Sequence, residues 1–122
     1  MKNFLLHRPR IKAGEEYFDS LAELKRFNDL CDLQDSGAIK ELARKVKFVL
    51  VPNQMEIETR TANGVKIPGS RIAEKEFVLR ADFVYKTQSG TTVAEVRKGT
   101  DKSLVIKRKL MLMKYKAIVE EY

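Results

Sequence analysis

The chain has 122 residues, of which 43% are hydrophobic and 34% are charged, and its formal net charge is +7. This length allows one hydrophobic core and the composition excludes a disordered chain, so we expect a single domain over residues 1–122 with a basic arm at residues 1–12. No apolar run approaches the roughly 20 residues of a membrane span, which predicts a cytoplasmic protein without a membrane partner. Cys31 is the single cysteine, so an internal disulfide and a zinc cluster are excluded.

The first elements in the chain are a predicted helix and a predicted strand. Asp19 and Ser20 are helix-capping residue types, good helix formers follow them, and Gly37 provides a C-terminal cap. The pattern therefore predicts a helix from about Ser20 to Asp35. The next segment, "KVKFVLV", alternates and is rich in β-branched residues, and it predicts a strand that Pro52 ends.

Two hairpins are predicted in the middle of the chain. "MEIETRTANGVKI" alternates around Asn63-Gly64, the strongest short hairpin signal. Residues 68–75 contain proline, glycine and serine, which indicates a mobile loop. "EFVLRADFVY" and "TTVAEVRK" then read as two strands joined by a turn at Ser89-Gly90.

The last elements are a second predicted helix and a short strand. The helix covers "DKSLVIKRKLMLMKYK" and begins at Asp101 or Ser103, and "AIVEE" is the strand. The order of helix, three or more strands, helix and strand predicts an α/β fold. The two helices lie either on opposite faces of the sheet or on the same face.

The positive charge is concentrated in one segment. Residues 97–116 contain eight basic residues and one acid, whereas basic and acidic residues are equal in number in the rest of the chain. A solvated helix face would explain part of this pattern, but the concentration favours a surface that binds a polyanion such as DNA. The predicted DNA-binding residues are Lys98, Lys102, Lys107, Arg108, Lys109 and Lys114, with Arg97 and Lys116 at the ends of the segment.

Three acids occupy positions where an apolar side chain would be expected. Glu23 shares one helical stripe with Phe27 and Leu30, so it faces the core. Asp82 lies in the middle of a hydrophobic strand, and Glu95 lies in the next strand. A two-residue turn would pair Asp82 with Arg97, which places Asp82 diagonally across from Glu95, roughly 7 to 8 Å away on the same face. The opposite face of the first strand would be wholly apolar and consist of Phe77, Leu79, Ala81, Phe83 and Tyr85.

Two carboxylates that converge repel each other unless a cation lies between them. Oxygen ligands without histidine or thiolate favour Mg²⁺ as that cation. An ion pair of Asp82 with Arg97 or Arg80 is the alternative. The burial of Glu23 is harder to explain by ion pairs alone.

The order of these acids resembles that in the PD-(D/E)xK nuclease superfamily. "FDSLAE", "ADF", "VAEVRKG" and "VIKRKLMLMKY" resemble segments of small phage proteins of the endonuclease I and Holliday junction resolvase type. The resemblance implies a restriction-endonuclease-like αβββαβ core with a mixed central sheet flanked by helices. It also implies that Asp82, Glu95 and Glu23 bind Mg²⁺ or Mn²⁺, and that the basic residue after Glu95 orients the attacking water.

The chain departs from the family pattern at this basic residue. Arg97 stands where the family has lysine, and an arginine stays charged and only positions or stabilises other groups. Lys98 follows directly, but regular alternation turns it to the opposite face unless the strand bulges there. We expect regular alternation, with Glu23, Asp82, Glu95 and Arg97 as the catalytic set and Lys98 as the alternative basic residue.

The sequence thus predicts a metal-dependent endonuclease of a phage or prophage that acts in the host cytoplasm. Phosphate contacts carry no sequence information, so we expect recognition of DNA by shape, with branched DNA and Holliday junctions as candidate substrates. The resemblance to resolvases implies a homodimer. Two alternatives remain open: a nuclease-fold module that binds DNA without cutting it, and a basic interaction protein that binds an acidic partner.

Overall fold

A computed structural model describes residues 10–122, except for the side chains of residues 58, 60 and 62. Nine of the residues in the predicted basic arm, 1–9, lie outside this part of the chain. The described part contains two helices and eight strands. They are β1 (Ile11–Ala13), β2 (Glu16–Phe18), α1 (Leu21–Asp35), β3 (Ile39–Val51), β4 (Gln54–Ala62), β5 (Val65–Glu74), β6 (Phe77–Thr87), β7 (Thr92–Val96), α2 (Leu104–Tyr115) and β8 (Ala117–Glu121).

The fold is mixed α/β, and a mixed central sheet has the strand order β3-β6-β7-β8. β6 is antiparallel to both of its neighbours, β3 and β7, whereas β7 and β8 run parallel. A parallel pair needs a crossover connection, and α2 provides it between β7 and β8. β1 pairs with β2, and β4 pairs with β5, in two separate hairpins.

Helix α1 confirms the predicted capping. The Ser20 hydroxyl accepts a hydrogen bond of 3.0 Å from the Glu23 backbone N–H, as expected of an N-cap. At the other end Gly37 has φ of 86°, a conformation that glycine adopts without a Cβ clash. The observed helix, Leu21–Asp35, agrees with the prediction to within one residue.

The two helices cover opposite faces of the sheet. Leu104 and Met111 of α2 belong to a core cluster that includes Ala94. Leu30 of α1 belongs to a second cluster that includes Val93. Because adjacent residues of a strand point to opposite faces, α1 and α2 lie on different sides of β7. This result decides between the two arrangements that the sequence allowed.

Three local predictions need correction. β3 begins at Ile39, not at Lys45. Residues 68–75 are not a mobile loop, because Val65–Glu74 forms strand β5 against β4. Proline is tolerated in this strand because each strand of a two-stranded sheet has one edge that pairs with no other strand. At that edge the missing N–H of Pro68 removes no hydrogen bond between strands. The short hairpin of β1 and β2 was not predicted.

The predicted register of β6 and β7 was wrong by one residue. Phe83, and not Val84, lies opposite Glu95, because the connection is longer than the assumed two-residue turn. Glu95 therefore shares a face with Phe83. The predicted single apolar face of β6 is also divided, since Leu79 and Ala81 pack in the α2 cluster and Phe83 in the α1 cluster.

No helix within residues 10–122 is long and apolar enough to cross a membrane.

Candidate functional site

The candidate site is a cluster of three carboxylates around one ammonium group. Lys45 Nζ donates to Glu23 Oε2 at 2.5 Å, to Asp19 Oδ2 at 2.8 Å and to Asp82 Oδ1 at 3.1 Å. Asp19 directly precedes the N-cap of α1, Glu23 lies in the first turn of that helix, Asp82 lies in the middle of β6, and Lys45 comes from β3. We call these four residues the acid cluster. The cation that the converging acids require is therefore supplied by the protein itself.

The backbone of β3 is irregular where it presents Lys45. Lys45 has φ of 55°, in the left-handed region that non-glycine residues rarely adopt. Its neighbours Arg44 and Val46 remain paired with β6, opposite Phe83 and Ala81. Such a strained conformation persists only where the surrounding contacts hold it in place. Residues of this kind are often found at functional sites.

Glu23 is buried, with 2% of its surface exposed, as the helical stripe predicted. Its Oε1 accepts hydrogen bonds from the Asp19 backbone N–H at 2.9 Å and from Arg44 Nη2 at 3.3 Å. The Arg44 guanidinium also lies 4.0 Å from the centre of the Phe18 ring, while its Nε is buried without a hydrogen-bond partner. Both oxygens of the buried Glu23 carboxylate thus accept hydrogen bonds from groups of the protein.

The electrostatics of the cluster follow from these contacts. The hydrogen bond from Lys45 lowers the pKa of Asp19 below its usual value of 3.8. Burial disfavours the charged form of Lys45, but hydrogen bonds to Asp19, Glu23 and Asp82 outweigh burial and raise the pKa of the ammonium. Lys45 is therefore a cation at neutral pH in this arrangement.

Asp82 is bound on both oxygens. Oδ1 accepts from Lys45, and Oδ2 accepts a hydrogen bond of 2.6 Å from the Tyr122 hydroxyl. The Tyr122 ring packs against Phe83 at 5.5 Å between centroids. Burial and the hydrogen bond to Asp82 raise the pKa of the Tyr122 hydroxyl, so it remains a donor.

Glu95 is buried but belongs to a different set of contacts. Arg26 binds its carboxylate with two hydrogen bonds, Nε to Oε1 at 2.7 Å and Nη2 to Oε2 at 2.6 Å. The Tyr85 hydroxyl donates to Oε2 at 2.5 Å. Such a bidentate pair satisfies a buried carboxylate, and it raises the pKa of Arg26. The structure therefore brings Glu23 and Asp82 together on Lys45 and pairs Glu95 with Arg26 and Tyr85.

Two adjoining cavities open beside the acid cluster. The first, of about 250 Å³, is lined by the acids of the cluster, and the second, of about 420 Å³, is lined by three basic residues and two acids. Asp82, Arg97 and Thr100 line both cavities. We call the second one the basic cavity. Its other lining residues are Val78, Arg80, Val96, Asp101 and Lys107.

Arg97 and Lys98 differ in position. β7 ends at Val96, so the period-two argument does not extend to either residue. Both side chains are exposed, but Arg97 lines both cavities next to Asp82, whereas Lys98 lines neither. The backbone N–H of Lys98 donates to the Tyr122 carbonyl at 2.9 Å. The basic residue beside Asp82 after β7 is thus Arg97.

The basic segment forms α2 and the turn before it. Lys107 is mostly buried and donates to Asp101 at 2.6 Å, and Arg108 pairs with Glu121 at 3.1 Å. Lys114 donates to the Val49 carbonyl at 2.9 Å. Lys102 and Lys109 are exposed. Of the predicted DNA-binding residues, Lys107 is therefore the one most firmly held by an acid of the chain.

The acid cluster suits a hard divalent cation in the type of its donors, since Glu23 and Asp82 present carboxylate oxygens toward one point. Lys45 Nζ occupies that point, so a metal ion would have to displace the ammonium. As they are placed here, no three acid, histidine or cysteine side chains among residues 10–122 are spaced as ligands of one ion.

Sequence reasoning missed two components of the site. Lys45 was read as the first residue of a regular strand, and nothing in "KVKFVLV" predicts its left-handed backbone. Tyr122 was not considered, although it directly follows β8 and its backbone N–H donates to the Val96 carbonyl of β7 at 3.0 Å. Adjacent basic residues at Arg44-Lys45, in a strand paired with the Asp82 strand, are the signal that would have indicated a counter-cation.

Comparisons with known proteins do not extend this description, because no protein-family model, curated protein or solved structure matches the chain.

Proposed function

We propose that this chain is a metal-dependent DNA endonuclease of the phage type whose active site is the acid cluster. The observation that carries the proposal is the convergence of Glu23 and Asp82 on a single cationic point. Carboxylates gathered in this way are a common means of holding Mg²⁺ or Mn²⁺ for phosphodiester hydrolysis.

The order of the core elements supports the proposal. α1, β3, β6, β7, α2 and β8 follow one another as α, β, β, β, α, β, with the hairpin of β4 and β5 inserted after the first core strand. This is the order of the restriction-endonuclease-like αβββαβ core that the motifs imply. Asp82 lies on the second core strand, Glu95 on the third and Glu23 on the first helix.

The chain's residues divide the chemistry as follows. Glu23 and Asp82 would hold the metal ion, which would activate water and offset charge in the transition state. Tyr122 fixes the Asp82 carboxylate through its hydroxyl. Lys45 offsets part of the charge of the acids, and if a metal ion displaced its ammonium, that group would remain a cationic hydrogen-bond donor beside the reacting phosphate.

α2 and the turn before it provide the DNA surface. Exposed Lys102 and Lys109 lie on the segment that carries the excess positive charge. Such residues bind the phosphate backbone without reading sequence, which agrees with recognition of DNA by shape. Branched DNA is the proposed substrate, and two copies of the chain would place one site on each of two strands.

The test is cleavage of supercoiled plasmid and of four-way junction DNA in Mg²⁺, Mn²⁺ or EDTA. Nicking or resolution that requires the metal ion and disappears in EDTA is the expected result. Binding of DNA without cleavage in any metal would overturn the assignment as an enzyme.

A DNA-binding module without nuclease activity is the second candidate, and the contacts of Glu95 favour it. Arg26 and Tyr85 occupy both oxygens of this carboxylate, which the family pattern would assign to the metal. If this pairing persists on DNA, the site lacks one of its three acids. The Glu95 pair can be loosened by Arg26→Gln, and restored cleavage in that variant would show that Glu95 is a metal ligand.

A further inference from the structure

The basic cavity contains two arginines without an acidic partner among the described residues. Arg80 of β6 and Arg97 after β7 both line it. Neither guanidinium takes part in a hydrogen bond or ion pair among the described residues, in contrast to Arg26, Arg44 and Arg108. Two such charges on one concave surface attract an anion.

The acids of the cavity are not free to neutralise these arginines. Asp82 is bound by Lys45 on one oxygen and by Tyr122 on the other. Asp101 accepts from the Ser103 backbone and hydroxyl on Oδ1 and from Lys107 on Oδ2. Each oxygen of both carboxylates already accepts a hydrogen bond from another group, so neither acid pairs with Arg80 or Arg97. The lining of the cavity has three basic side chains, those of Arg80, Arg97 and Lys107, against these two acids.

We propose that Arg80 and Arg97 form a clamp for a phosphodiester group in the basic cavity. A guanidinium offers a planar fork of donors that matches two phosphate oxygens, and two forks suit the non-bridging oxygens of one phosphodiester. The cavity volume of about 420 Å³ accommodates such a group with part of its sugars. Arg80 and Arg97 are both exposed, so an anion can reach the two guanidinium groups from solvent.

The clamp lies next to the acid cluster, so its role would be to position a phosphodiester for the reaction. It adjoins the acid cluster through the shared residues Asp82, Arg97 and Thr100, so a phosphodiester held there lies beside the reacting point. The clamp rests on the proposed function for its source of phosphate, the DNA backbone. Its Arg80 is a positioning group outside the basic segment of residues 97–116.

The experiment is an NMR titration of the arginine Nε–H signals in EDTA, which excludes metal binding and cleavage. The probes are the dinucleotide TpT, which has one phosphodiester and no terminal phosphate, inorganic phosphate, and acetate. We expect TpT to shift the signals of Arg80 and Arg97. Either substitution, Arg80→Gln or Arg97→Gln, should weaken TpT binding roughly tenfold, the loss of one charge-assisted contact. Lys40→Gln, which removes an exposed charge from β3 outside the cavity, should leave it unchanged.

Three outcomes would overturn the clamp: TpT that shifts neither signal, equal shifts with acetate, or binding of inorganic phosphate alone. Each can occur while metal-dependent cleavage persists, so failure of the clamp is distinguishable from failure of the nuclease assignment. Conversely, TpT binding at both arginines in a chain that never cleaves DNA would retain the clamp and remove the enzyme.

Discussion

Substitution of Lys45 by methionine tests whether the acid cluster depends on one ammonium. The change keeps an unbranched side chain that is one atom shorter, and it removes the donor that Asp19, Glu23 and Asp82 share. Removing one partner of a buried ion pair typically costs about 3–5 kcal/mol. We expect a smaller loss of about 2 kcal/mol, because 44% of the Lys45 side chain is exposed and Glu23 keeps its bonds to Arg44 and to the Asp19 N–H.

The matched control is Lys47→Met on the same strand. Lys47 pairs with Glu76 at 2.5 Å and has a similar exposure of 42%, but its partner is partly exposed, not buried. Pairs of this kind contribute about 0–1 kcal/mol. Urea denaturation should therefore show a clearly larger loss of unfolding free energy for Lys45→Met. Equal losses in the two variants would refute the assignment of Lys45 as the counter-cation of a buried acid.

The same variant also tests whether the acid cluster can bind a divalent ion. Without the ammonium, the oxygens of Glu23 and Asp82 are open to a divalent ion, and an ion bound only by the folded state adds stability of about 2.7 kcal/mol at a concentration 100 times its Kd. Mn²⁺ should thus stabilise Lys45→Met more than it stabilises the wild type. If Mn²⁺ does not change the unfolding free energy of Lys45→Met, these acids are not a cation site.

The remaining predictions concern pH, salt and the basic residue after β7. The pKa of Asp19 is depressed in the folded chain, so the pairing of this carboxylate stabilises the fold at pH values above the ordinary pKa of 3.8. This stabilisation is lost as the pH falls through the lower pKa of the folded state. NMR titration should find a higher Asp19 pKa in Lys45→Met than in the wild type. The log of DNA affinity should fall linearly with the log of salt concentration, and Lys109→Gln should lower that slope by about 0.9, whereas Lys109→Arg keeps it. Arg97→Ala should reduce cleavage far more than Lys98→Ala and Arg97→Lys should retain it, while the reverse order would place Lys98 at the site.

Much of the architecture could be read from the sequence because its signals are local. Ser20 and Gly37 mark the ends of α1, and Asn63-Gly64 marks the turn between β4 and β5, since each of these residues acts through its own backbone. The burial of Glu23 followed from helical periodicity. Period and capping are properties of consecutive residues, so no knowledge of distant contacts was needed.

What could not be read depends on register and on partners distant in sequence. The connection after β6 is longer than two residues, and this one-residue difference moved Glu95 to the face of Phe83. Arg26 reaches Glu95 across 69 residues, and Lys45 reaches Asp82 across 37. No local pattern selects these pairs over the many other basic residues of the chain. The prediction that all three acids share one metal ion remains to be tested.

The most direct test of the central claim is a cleavage time course on a four-way junction in Mn²⁺ with Asp82→Asn beside the wild type. The matched control is Asp29→Asn, which removes the same charge from an exposed position on α1. Loss of cleavage in Asp82→Asn, with junction binding retained and with wild-type rates in Asp29→Asn, is the predicted result. Cleavage by Asp82→Asn at the wild-type rate would contradict the assignment of the acid cluster as the active site.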